Sequence, residues 1–198
     1  MSRTMTPRQR KIRAALASGL VLGIGAVITL AAWNDSVWGE SEFGSDRWNI
    51  QGDFGSGWQE HATAGTAGSF TFEIPLAQNL TPGDVVSAPV SLRVGPDTSE
   101  LNASVTLQPS GNTSELASAL RLTVRESAVC DGSGVVPAGW PSDGVLSSAG
   151  GATPITLEGD STPREFCFYV ELPTNTPPLT TDATGPVLWE FQATSVAP

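Results

Sequence analysis

Histidine occurs once in the 198 residues, and cysteine only twice. So few nitrogen and sulfur ligands leave little from which to build a multi-ligand zinc site. The one imidazole, His61 in Gln59-Glu60-His61-Ala62, lacks the second His of an HExxH pair, and no serine sits in a GxSxG elbow. His61, close to Gly and Thr, reads as an exposed loop residue, and no catalytic or metal-binding set and no cofactor are assigned. Basic residues are also scarce: 10 against 20 acidic, a formal net charge of -10, which argues against nucleic acid as a partner. What is plentiful is turn chemistry. Gly (21) and Pro (15) are too many for an all-helical chain, and with 39% hydrophobic residues and six Trp the chain is not expected to be disordered.

The charges are segregated. Five of the ten basic residues (Arg3, Arg8, Arg10, Lys11, Arg13) precede position 14, and no acidic residue occurs before Asp35. The run Ala14 to Ala32 is uncharged. A basic n-region (1–13) followed by an apolar h-region (14–31) is the order of a secretory signal. Small residues at Thr29 and Ala31 suit cleavage between Ala31 and Ala32, with a signal peptidase as transient partner. The alternative is an uncleaved anchor, because the run approaches the roughly 20 residues that span a bilayer. The membrane is then met only through residues 14–32. Either way the body is secreted or held at the cell surface.

That body, 47–198, reads as strands. Apolar residues alternate at Phe70, Phe72, Ile74; at Val86, Ala88, Val90, Leu92, Val94; at Leu101, Ala103, Val105, Leu107; and at Leu120, Leu122, Val124. They do so again at Phe166, Phe168, Val170, Leu172 and at Val187, Trp189, Phe191, Ala193, with Trp48 and Ile50 opening a further short strand. A period of two places each set on one face of a sheet. Half-buried strands at this density call for a second covering sheet, so an all-β, antiparallel β-sandwich is expected behind the N-terminal signal or transmembrane helix. Pro89 demotes its strand to an edge or a bulge. Ser114 to Leu120 is the one helix candidate in the body, with Ser114 as N-cap.

Residues 129–162 break the rhythm and read as a surface excursion, with room for a short hairpin. Cys130 and Cys167 bracket it. Two cysteines in an exported chain suggest one disulfide stapling the excursion to the outer face of the sheet; two buried free thiols are the alternative. Asp131-Gly132 and Gly159-Asp160 offer hard oxygen ligands for calcium, although ordinary Asx turns explain both. Trp33, Trp38, Trp48 and Trp58 with Phe43 and Phe54 form an aromatic-rich stretch suited either to stacking on sugar rings or to a strand seeking a groove.

Thr29-Leu30-Ala31-Ala32-Trp33-Asn34-Asp35, directly after the apolar run, resembles the boundary of the bacterial TasA/camelysin family, whose members are exported with SipW-type signals. Leu80-Thr81-Pro82-Gly83-Asp84 is similar to that family's Leu-x-Pro-Gly-Asp turn, and Trp189-Glu190-Phe191-Gln192-Ala193-Thr194 to its closing strand. The resemblance implies a jelly-roll-like β-sandwich and an extracellular-matrix or surface protein that assembles into a homo-oligomer or fibre by strand addition. Residues 32–46 are then the donor segment, with Trp33, Val37 and Phe43 as anchors. Camelysin-like members are also described as metalloproteases, a role for which the second His is missing here. The other reading is a monomeric secreted module for binding or adhesion.

Overall fold

The computed structural model describes residues 7–8, 11–12, 48–73, 76–96, 100–180 and 183–198. Residues 7, 8, 11 and 12 are helical. The signal boundary (Ala31, Ala32), the donor segment with Trp33, Val37 and Phe43, and most of the apolar run lie outside the described residues. Among the described residues no helix is long and apolar enough to cross a membrane. The chain divides into two units, 1–44 and 45–198.

The second unit is built from antiparallel sheet with very little helix. Its strands are β1 (Ile50–Asp53), β2 (Val85–Val94), β3 (Asn102–Gln108), β4 (Arg121–Glu126), β5 (Gly144–Val145), β6 (Gly151–Leu157), β7 (Arg164–Glu171) and β8 (Glu190–Val196). They form a five-stranded sheet in the order β1-β2-β7-β4-β5 and a three-stranded sheet in the order β6-β3-β8. The alternation predicts which side chains are inside. β2 buries Val86, Val90, Leu92 and Val94; β4 buries Leu122 and Val124; β7 buries Phe166, Phe168 and Val170. From the smaller sheet come Ala103, Val105, Leu107, Ile155 and Leu157, and both sets belong to one hydrophobic cluster. Each of the Val, Leu, Ile and Phe side chains contributes about 1.5–3 kcal/mol when fully buried.

Pro89 is accommodated as the sequence requires. It pairs with Cys167 of β7, while β1 reaches only as far as Asp53↔Ser91, so no strand covers the other side of Pro89. The helix Glu115–Ala119 is capped by Ser114, whose Oγ accepts from the Ala117 N–H at 3.1 Å.

Three expectations need correction. The excursion is less superficial than predicted: it contains β5 and all of β6, and Trp140, Leu146, Ala149, Ile155 and Leu157 are buried. Pro154 and the small residues around it hid the β6 alternation, yet the strand pairs with β3 through Ile155↔Val105 and Leu157↔Ala103. Ser69 to Glu73 is not a strand. Phe70 and Phe72 do face the core, but no ladder includes them. The last strand also starts late: Val187 and Trp189 precede β8, whose pairing with β3 begins at Glu190↔Gln108.

The turn before β2 shows why its residues are those. Gly83 has φ +101°, open to glycine and strained for others, and Pro82 supplies the fixed φ of the preceding position. The Asp84 carboxylate accepts from the Thr81 N–H (2.7 Å) and Oγ1–H (2.8 Å). Those bonds hold its pKa below the usual carboxylate value. Gly83 N–H donates to Leu172 O at 2.7 Å, tying the turn to the end of β7. Pro82, Gly83 and Asp84 thus form the turn that leads into β2, and Leu80 before it packs against the core. Gly83→Ala forces a side chain into left-handed backbone and sets its Cβ 3.1 Å from Thr174 Cγ2. It is expected to cost about 1–2 kcal/mol, read as a lowered denaturant midpoint in chemical unfolding; an unchanged midpoint would contradict this account.

Candidate functional site

The three-stranded and the five-stranded sheet both contribute side chains to one hydrophobic cluster, and several aromatics packed against that cluster are only partly buried. Among the described residues β8, at the edge of its sheet, pairs with β3 alone. Two extended segments flank it. One is Gly68 to Phe72, the other Val187 to Trp189 running into β8. Their side chains meet: Phe70 and Trp189 have ring centroids 4.8 Å apart, and both rings also touch Phe168 at 5.1 and 5.6 Å. Their backbones share no ladder hydrogen bonds. Phe70, Phe72, Val187, Trp189, Phe191 and Ala193 are only half-buried, whereas Phe166 and Phe168 beneath are fully enclosed.

The result is a groove of about 720 Å³ running along the end of β8, with Trp48, Ile50, Phe54, Phe70, Trp189 and Phe191 among its walls. A second cleft of about 580 Å³ shares Phe70 and Trp189 and continues over Phe72, Leu80 and Val187. Such volumes are in the range that takes a ligand. Glycine makes the close packing of the wall possible: a Cβ on Gly68 would lie 2.2 Å from Phe54 Cδ2 and 2.9 Å from His61 Nε2.

Two residues that line this groove carry a buried polar atom without a hydrogen-bond partner, the Trp189 indole N–H and the Asn49 side-chain oxygen Oδ1. The Asn49 amide nitrogen is engaged, donating to Glu60. Native structures leave few buried polar atoms unpaired, so an orphaned donor and an orphaned acceptor on residues of one groove mark a place where a partner is missing.

His61 is half-buried rather than exposed, and its φ of 46° marks a tight bend. Its ring stands edge-on to Phe54 at 5.2 Å, and Nδ1 lies 2.8 Å from Thr66 O. It is part of the groove wall. Among the described residues no three His, Cys, Asp or Glu side chains gather as a metal site. Asp131 and Asp160 each close a turn. Asp131 accepts from Ser133 N–H, Asp160 from Thr162 N–H, both at 2.9 Å, and these partners lower both pKa values.

The described members of the aromatic-rich stretch are engaged within the fold. Arg93 lies over the Trp58 ring at 4.2 Å, Trp48 donates to Leu101 O at 3.4 Å, and Phe54 is buried. Cys130 and Cys167 form the disulfide, with Cα atoms 5.4 Å apart. Cys167 is fully buried, on the face of β7 opposite Phe166 and Phe168. A disulfide is compatible with an extracellular location. No protein-family model and no curated protein matches the sequence.

Sequence reasoning missed Asn49, Phe70 and Trp189 as groove residues. Alternation had marked the two aromatics as core, and nothing local separates a core aromatic under a strand from one at a sheet edge.

Proposed function

We propose that the chain is an exported structural protein of the cell surface or extracellular matrix that self-associates by strand addition. The single observation that carries this reading is the side of β8 that has no partner strand among the described residues, next to a partly exposed set of aromatic rings. An edge strand offers free N–H and C=O groups, and natural proteins ordinarily blunt such edges. Here Phe191 and Ala193 of β8, with Trp189 just before it, line a groove of about 720 Å³. An extended segment entering it satisfies the backbone and covers the rings. Residues 32–46, freed at their N-terminus by cleavage after Ala31, are the donor, with Trp33, Val37 and Phe43 filling the groove of a second copy. The two sheets then form a jelly-roll-like sandwich completed in trans, in keeping with the resemblance to TasA/camelysin proteins.

Electrostatics oppose this association. After residue 31 the chain keeps 5 basic and 20 acidic residues, a net charge of −15. The donor adds Asp35, Glu40, Glu42 and Asp46 to a groove already rimmed by Glu60 and Glu190. Salt screens such repulsion beyond about 10 Å at 0.1 M, so assembly is expected to strengthen with ionic strength.

The test is to purify the exported product, sequence its N-terminus, and follow its size against concentration and salt. A start at Ala32, filaments by electron microscopy, more assembly at higher salt and loss of assembly on deleting 32–46 are expected. A monomer at all concentrations, or filaments that survive the deletion, would overturn the reading. The aromatic groove favours one other reading, a monomeric module binding an extended ligand, which the same sizing experiment separates.

A further inference from the structure

We infer that Trp189 and Asn49 are the polar anchors of the β8 groove, and that they recognise main-chain amides: the indole N–H donates to a carbonyl of the entering segment, and Asn49 Oδ1 accepts an N–H from it. This rests on the strand-addition reading and says which residues select the occupant and by what chemistry. The occupant is the 32–46 segment of a second copy. The described body begins at Trp48, which itself lines the groove, and the segment 32–46 precedes it in sequence by a single residue, Arg47.

The argument starts from what is unsatisfied. One donor and one acceptor, on residues that line the same groove, are buried unpaired. An extended peptide carries one C=O and one N–H on nearly every residue, so a single strand meets both without a polar side chain. An anion leaves Asn49 Oδ1 unpaired and a cation leaves the indole N–H unpaired, and Glu60 and Glu190 repel the anion besides. A sugar hydroxyl can pair with either atom, but sugars bind on a bare aromatic face. Here the Phe54, Phe70 and Trp189 rings are packed against one another and against Phe168 and Phe191. The apolar walls then receive alternate side chains of the strand, while the two anchors fix its register. A shift by one residue would turn the paired C=O and N–H groups to the opposite edge of the strand, away from the anchors, and turn the apolar side chains away.

The experiment uses the full chain in detergent micelles, isotope-labelled at its six tryptophan indole nitrogens, titrated with an unlabelled synthetic peptide of residues 32–46. The Trp189 signal, assigned by its disappearance in Trp189→Phe, is expected to shift and become protected from solvent exchange. Trp189→Phe keeps an aromatic ring but removes the donor, and is expected to weaken peptide binding about tenfold, the scale of one buried hydrogen bond. Asn49→Leu, which removes the acceptor at a different site, is expected to produce a similar loss and guards against a folding defect in the first variant. Trp58→Phe, outside the groove, is expected to leave the affinity unchanged. Peptide binding with an unmoved Trp189 signal and undiminished affinity in both groove variants overturns the anchor assignment while leaving strand addition intact. No peptide binding at all, or a shift of Trp189 by oligosaccharide and not by peptide, overturns the reading on which the inference rests.

Discussion

Phe168→Ala is expected to lower the folding free energy by about 3–5 kcal/mol, measured as a fall in the midpoint of chemical unfolding. The side chain is fully buried on the central strand β7, where it stands between Ala88 of β2 and Val124 of β4. Removing it deletes apolar contact and also three ring contacts, with Phe70, Trp189 and Phe191 at 5.1, 5.6 and 6.0 Å. Aromatic pairs are worth about 0.5–1.5 kcal/mol each beyond their buried area. Those three partners are the floor and wall of the groove, so the cavity opens directly under the candidate binding site. A loss below about 1 kcal/mol would mean that Phe70 or Trp189 collapses into the space, and that the groove wall is softer than its packing implies.

Replacing both cysteines by alanine is expected to cost about 3–4 kcal/mol. Cys130 and Cys167 are 37 residues apart, and in the chain-entropy model a closed loop of that size removes roughly this much freedom from the unfolded chain. The native contacts across the excursion would survive the change: Glu126 N–H donates to Val135 O (2.8 Å), Arg125 to Gly134 O (3.0 Å), and Gly132 N–H to the Tyr169 hydroxyl (2.9 Å). The effect is therefore placed in the unfolded state, with a signature of its own. The denaturant slope should rise in the double variant, because an unfolded chain without the cross-link exposes more surface. A fall in stability with an unchanged slope would put the contribution in the native packing of Cys167 instead.

Much of the fold is legible in local pattern. Phe166 and Phe168 fall on one face of β7 and Cys167 on the other, as a period of two demands, and Ser114 and the Pro82-Gly83 turn act through bonds within a few residues. β6 was obscured because Pro154 interrupts its alternation and its burial depends on β3, some fifty residues earlier. The candidate site was half legible: the aromatics of Phe70, Phe72, Val187 and Trp189 stand out, but their alternation is the same whether or not a strand lies alongside.

By itself the sequence determined that this is an acidic, all-β body behind a basic, apolar head, with one possible cysteine pair and with each strand's inward face set by side-chain alternation. The tertiary structure alone decided which backbones have neighbours: among the described residues β2, β7 and β4 are paired on both sides, β8 is paired on one, and Ser69 to Glu73 lies outside every ladder. Periodicity records where side chains point, a property of two or three consecutive residues. Hydrogen-bond pairing depends on which distant segment arrives about 4.8 Å away, and that is settled only when the whole chain has packed.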